Sequence, residues 1–345
     1  SGTSVAEYAF TFEDEQTTVE LSKADLTDKK ELPGASLKVT DEDGNTVDEW
    51  VSKEEAHIIK GLIVGKKYKM TETKPADGYV TAESIEFTVE NTKEVQKHQM
   101  LDDVTKVEIS KKDITDSSEV PGAKLIILDK DGKKVESWTS TDKPHMVEKL
   151  PVGEYTLREE QAPDGYLIAE DVKFTVKDTG KVQKVKMKDA HPYGKLVIKK
   201  TDSTSKAALS GAEFELREKE SGKVVEKLVT DKTGTATSGK LPIATYKNGK
   251  VEKTVEYILV ETKAPNGYEL SSKKEEIRFE YKDGKTKVIE IVKEIKNTKS
   301  PSGSTPTGNS PKTGDSTNIW LPILLAVLSA CGIGGVIWYK KKKGN

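Results

Sequence analysis

The chain has 345 residues, 34% of them hydrophobic and 6% aromatic, with a formal net charge of −2. That length holds two or three ordinary domains with lean cores, and a slightly acidic, evenly salted chain offers no basic face to displace counterions from a nucleic acid. The single cysteine, Cys331, excludes an internal disulfide framework and a cysteine-based zinc site.

The chain does not begin with Met and no signal peptide opens it, which sets the expectation of a fragment of a longer precursor. A repeat then declares itself. VELSKADL (19–26), VEISKKDI (107–114) and LVIKKTDS (196–203) match, with Lys23, Lys111 and Lys200 spaced by 88 and 89 positions. Next come Pro33-Gly34-Ala35, Pro121-Gly122-Ala123 and the looser Ser210-Gly211-Ala212. A hairpin follows, its turns expected at Asp43-Gly44, Asp131-Gly132 and Ser221-Gly222, the Asp-Gly pairs as two-residue turns with both residues at positive φ. Trp50 and Trp138 align with Leu228 as core plugs.

Each repeat then carries a related stretch, YKMTETKPADGY (68–79), YTLREEQAPDGY (155–166) and YILVETKAPNGY (257–268), and closes with another alternating strand. The third unit is longer. Lys200 to Glu261 spans 61 positions against 49 and 48 in the other two, and the excess falls around YKNGKVEKT (246–254), whose Asn248-Gly249 predicts an inserted hairpin. Nothing reads at helical period with caps, so every unit is expected to be all-β, a sandwich or partial barrel of short strands. Counting back by one repeat aligns Phe12 with Met100 and Asp14 with Asp102. Residues 1–16 therefore read as the last strand of a truncated preceding repeat, with Asp14 an orphan acceptor.

Strand side chains alternate between faces. Val19, Leu21 and Lys23 share one face, as do Tyr68, Met70 and Glu72, and Met100 with Asp102. The same phase selects Lys111, Glu159 and Asp189, then Lys200, Glu261 and Asn297. Each repeat thus points a lysine, a glutamate and an aspartate or asparagine inward from three strands. Strand ends escaping to solvent would explain any one of these, but not nine in one pattern. A buried ion triad is chemically possible but poor for stability, because desolvation often exceeds the attraction. Amide formation resolves the difficulty. Burial lowers a lysine pKa and raises that of a glutamate, so a neutral amine can attack a carbonyl that a protonated glutamate polarises. The product is an uncharged Lys–Asp or Lys–Asn amide.

At these residues the chain resembles the CnaB-type (SpaA-like, prealbumin-like) domains of Gram-positive surface adhesins and pilins, over roughly residues 17–298 and most specifically in the YxLxExxAPxGY stretch. The resemblance implies tandem prealbumin-like, Ig-like sandwiches at 17–103, 104–190 and 191–298. It implies intramolecular isopeptide bonds Lys23–Asp102 with Glu72, Lys111–Asp189 with Glu159, and Lys200–Asn297 with Glu261. The first copy departs in placing its proline one position early, at Pro75.

Residues 299–309 are Ser/Thr/Pro/Gly-rich, a flexible wall-spanning linker. Ser310, Pro311, Lys312, Thr313 and Gly314 follow, then 21 uncharged residues, 319–339, and four lysines. As a helix that run spans about 30 Å, enough to cross a bilayer core, with its basic end inside. The order resembles a sortase sorting signal within 310–345. It implies a membrane-held intermediate, cleavage after Thr313 by a transient sortase, and covalent transfer to peptidoglycan, with Ser310 standing where Leu is usual.

The reading is a wall-anchored, secreted stalk that projects a missing N-terminal head toward a host or neighbouring-cell ligand. A pilin subunit polymerised by a pilus sortase is one alternative, although no YPK-type acceptor lysine is present. Adhesin domains that bind a ligand directly are another. A turnover enzyme is not expected, because the chemistry consumes its own residues, and no cofactor, metal or nucleic acid is called for. His57 and His145 align by repeat ancestry, with no partner evident in the sequence.

Overall fold

The computed structural model describes residues 15–301. Asp14 and nearly all of the expected strand within residues 1–16, the linker beyond residue 301, the 310–314 motif and the 319–339 span lie outside the described residues. No helix among the described residues is long and apolar enough to cross a membrane.

The first repeat holds β1 (Thr18–Asp25), β2 (Ser36–Thr40), β3 (Thr46–Val51), β4 (His57–Lys60), β5 (Lys67–Lys74), β6 (Ile85–Thr88) and β7 (Gln96–Asp102). They form two facing sheets, β4-β1-β7 and β3-β2-β5-β6. The core between them holds Val19, Leu21, Leu37, Val39, Tyr68, Met70, Phe87 and Met100. Its alternating strands bury one face each, as the two-residue period requires.

The second repeat repeats the plan with β8 (Lys106–Asp113), β9 (Lys124–Asp129), β10 (Lys134–Thr139), β11 (His145–Glu148), β12 (Gly153–Gln161), β13 (Val172–Val176) and β14 (Gln183–Asp189). Its sheets are β11-β8-β14 and β10-β9-β12-β13. The third has β15 (Tyr193–Asp202), β16 (Glu213–Glu218), β17 (Val224–Val229), β18 (Thr235–Thr237), β19 (Leu241–Pro242), β20 (Ala244–Lys247), β21 (Lys250–Thr254), β22 (Glu256–Lys263), β23 (Lys274–Arg278) and β24 (Val288–Asn297). Here β24 and β18 flank β15, β17-β16-β22-β23 faces them, and β20-β21 stands apart.

In every repeat the first and last strands are neighbours and run parallel: β1 with β7, β8 with β14, β15 with β24. Parallel neighbours cannot be joined by a tight turn. The whole body of each repeat is therefore the crossover between them.

Three expectations need correction. The Asp-Gly hairpins are not two-residue turns. Only the glycine takes positive φ (Gly44 at 83°, Gly132 at 79°), and the loop is wrapped around a preceding carboxylate, Asp41 accepting the N–H groups of Asp43 and Asn45 and Asp129 those of Asp131 and Lys133. An Asx cap substitutes for the second left-handed residue. Trp50 and Trp138 are not plugs but half-buried lids at the core edge, whereas Leu228 is buried. His57 and His145 do have partners. Each stacks on its tryptophan at centroid distances of 4.2 and 4.4 Å, and His57 Nε2 also meets Asp48 at 2.8 Å. The inserted hairpin is present as β20–β21, and both Asn248 and Gly249 take positive φ.

Candidate functional site

Lys23 lies in β1 opposite Met100 in the parallel register, and Asp102 lies two residues beyond Met100. Two residues along a strand is one step on the same face, so lysine and aspartate converge on the core side of one sheet. Glu72 arrives from the other sheet, where β5 pairs with β2. The second repeat does the same with Lys111, Asp189 and Glu159, and the third with Lys200, Asn297 and Glu261. All nine side chains are buried, the three lysines at 2% exposure or less.

Lys23 Nζ contacts Asp102 Oδ1, Lys111 Nζ contacts Asp189 Oδ1, and Lys200 Nζ contacts Asn297 Oδ1. The glutamates stand beside the amines: Lys23 Nζ to Glu72 is 2.9 Å, Lys111 Nζ to Glu159 2.9 Å and Lys200 Nζ to Glu261 3.1 Å. Each glutamate is aimed by a backbone N–H ten residues on, from Ala82 at 2.6 Å, Ala169 at 2.6 Å and Ser271 at 2.9 Å. The structure thus brings together every Lys–Glu–Asp/Asn set singled out by strand phase.

Burial disfavours the charged form of Asp102, Asp189 and Lys200. Burial pushes the Asp102 and Asp189 carboxyl groups up to about 7, against the pull of Lys23 and Lys111 and with the push of Glu72 and Glu159. Burial also lowers the pKa of Lys200, against the influence of Glu261, and Phe214 places its ring 5.7 Å from that amine. Among the described residues, Asp102 Oδ2 and Asp189 Oδ2 are buried with no hydrogen-bond partner. A carboxylate would leave that oxygen's charge unsatisfied, whereas an amide would eliminate the oxygen. In the third repeat the corresponding atom, Asn297 Nδ2, donates to Glu261 Oε1 at 3.0 Å.

Residues that strand phase did not single out support these sets. Glu31 and Glu119 accept the backbone N–H of Lys23 and Lys111, while Gly234 O serves Lys200. Two residues past each lysine, Asp25, Asp113 and Asp202 accept the hydroxyls of Tyr79, Tyr166 and Tyr268 at 2.7, 2.7 and 2.8 Å. Although burial opposes ionisation of Asp25 and Asp113, donors including the tyrosines hold both near 2. Backbone donation from Ser205 together with Tyr268 does the same for Asp202. The recurrence of Lys-x-Asp and Gly-Tyr at one register was the signal for this second set.

The family model described as SpaA, prealbumin-like fold domain, matches residues 17–103, 105–191 and 194–295. Among solved structures, the Bacillus anthracis TIE protein is similar at 27% identity and a TM-score of 0.55, over 83% of this chain and 52% of that one. This chain thus spans about half the length of that relative. BcpA, the major pilin subunit of Bacillus cereus, aligns at 18% identity and a TM-score of 0.48, over 83% of this chain and 100% of that one. The full-length major pilin SpaD from Corynebacterium diphtheriae aligns at 19% identity and 0.38, over 85% and 99%. No curated protein matches the chain.

Proposed function

Because this chain belongs to the SpaA family of prealbumin-like fold domains, we propose that its three repeats are load-bearing segments of a Gram-positive pilus shaft or wall-anchored stalk, each closed by its own Lys–Asp or Lys–Asn amide. The chain is a structural protein of the secreted, wall-held kind rather than a turnover enzyme. The observation that carries the reading is the threefold recurrence of a buried lysine in contact with an acceptor on the adjacent parallel strand, with a glutamate alongside.

In each repeat the neutral Lys Nζ attacks Cγ of the acceptor. The new C–N bond forms, a proton passes from the amine through the glutamate to the leaving group, and the old C–O or C–N bond breaks. Asp102 and Asp189 lose water, and Asn297 loses ammonia. The glutamate ends as it began. Proximity supplies much of the acceleration, because the fold already holds amine and carbonyl in contact.

Intact mass tests this. The three repeats, residues 17–298, should fall short of their calculated mass by two waters and one ammonia, about 18 Da and 17 Da each. A mass equal to the calculated one would overturn it. The pilin reading, in which copies of this chain are joined to one another as shaft subunits, is the alternative to a single anchored stalk. It predicts covalent multimers of the chain on intact cells, resistant to boiling in detergent. A strictly monomeric wall-released product would instead select the stalk.

A further inference from the structure

The inserted hairpin of the third repeat has no part in the amide chemistry, and its position assigns it another task. Both junctions between repeats share a common part. Val80 N–H donates to Asp103 O at the first and Leu167 N–H to Ala190 O at the second. Both also rest on the aspartate–tyrosine pair at the end of the preceding repeat. What covers that pair differs.

At the first junction the cover is Lys149, whose Nζ lies 2.7 Å from Tyr79 Oη and 3.3 Å from Asp25 Oδ2. Its carbonyl packs so close to Gly78 that a Cβ there would overlap it. Thr81 adds two hydrogen bonds to Asp178. The Lys149 and Thr81 contacts are polar and the Lys149 side chain remains 52% exposed, while Val104 joins Leu32, Ala35, Ala76 and Tyr79 in a small apolar cluster beneath them.

At the second junction the cover is His191 and the hairpin. His191 Nε2 meets Asp113 Oδ2 at 2.8 Å. Tyr246 of β20 stacks on His191 at 3.5 Å between centroids and 3° between planes, meets Tyr166 edge-on at 5.2 Å, and donates to Gly165 O at 2.7 Å. Val251 of β21 lies against Gly165, and Gly249 at the hairpin tip lies against the backbone of Glu119. Tyr246 joins an apolar cluster of Val120, Ala162, Tyr166 and Ile168. Tyr281 Oη donates to Tyr166 O, and Ile168 N–H to Gly284 O.

An isolated two-stranded hairpin is marginal in water, and β21 is exposed along its whole length. The order of this hairpin therefore draws on the second repeat as well as on Ala244 and Tyr246, which root β20 at the edge of its own repeat's core. We propose that β20–β21 is an interdomain clamp: it docks the third repeat onto the second as one stiff body and leaves the polar Lys149 junction as the compliant joint of the chain.

Spin-label distance measurements test this on the full chain with Cys331→Ser. Labels at exposed Asn45 and Ser137 span the first junction, and labels at Ser137 and Ser221 span the second. The second pair should give a distance distribution roughly half as wide as the first. Tyr246→Ala, or replacement of residues 246–251 by Gly-Gly, should widen the second distribution to match the first and leave the first unchanged. Phe214, Leu259 and Phe279 stay in place in both variants, but Tyr246 also packs against the edge of that core, so the distances are read only where the third repeat retains its thermal transition. Equal widths in the native chain, or a second distribution indifferent to both variants in a folded third repeat, would overturn the clamp.

Discussion

At the scale of single residues, the glutamates are the most informative positions. Glu72→Ala should keep the first repeat at its full calculated mass while the other two still lose water and ammonia. It should also destabilise that repeat by about 3–5 kcal/mol, because a buried lysine and aspartate are left with a partner missing. The unreacted repeat acquires a pH dependence that the bonded one lacks. Burial, the largest influence on Asp102, raises its folded-state pKa above the usual 3.8 and remains when Glu72 is removed, so the folded chain holds that proton more tightly than the unfolded chain does. The resulting stability is complete below 3.8 and is lost as pH rises through the raised folded-state value. Urea unfolding of Glu72→Ala should therefore show a more stable first repeat at pH 4 than at pH 8, with no such trend from this site in the native, bonded repeat. Asn297→Asp is the complementary change. It should convert the third loss from ammonia to water, with Glu261 still required.

At the scale of elements, the parallel pairing of first and last strands makes a one-residue slip intolerable, since it would turn lysine or acceptor out of the core. Gly194, in β15, shows how tightly the first strand packs against the core it covers. A Cβ at this position would intrude into the ring of buried Phe279. Gly194→Ala should destabilise the third repeat by about 1–3 kcal/mol through overpacking, read as a lowered thermal midpoint confined to that repeat. The first repeat has no counterpart of the inserted hairpin, and its neighbour is held through Lys149. Lys149→Ala should loosen the first junction while leaving all three amides intact, which a distance measurement and an intact mass together would report.

At the scale of the whole molecule, tension enters each repeat along its first strand and leaves along its last. With an amide between Lys23 and Asp102, the 79 positions separating them are bypassed. Under single-molecule stretching the native chain should not release this length. Glu72→Ala should release about 260 Å in one step, at roughly 3.3 Å per residue. Anchoring belongs to this scale too. Thr313→Ala should leave the protein extractable by detergent, whereas the native chain should require wall hydrolysis. Identical behaviour of the two would reduce residues 310–345 to a plain membrane anchor.

Much of this was legible in the chain itself, because the side-chain period of a strand is a local property. The alternation of Val19, Leu21 and Lys23, or of Tyr68, Met70 and Glu72, places each polar group on an apolar face without reference to any partner, and repetition turns one oddity into a rule. The Asn248-Gly249 hairpin was equally local. What the period could not decide was who faces whom. That Lys23 and Asp102 sit side by side on parallel neighbours while Glu72 reaches across from the other sheet is a matter of non-local pairing. So are the stacking of Trp50 on His57, the seat of Tyr246 on His191 and Gly165, and the unpartnered oxygens of Asp102 and Asp189. Each arises from contacts between segments tens of residues apart, whose free energy depends on sheet order and packing rather than on any stretch of sequence read alone.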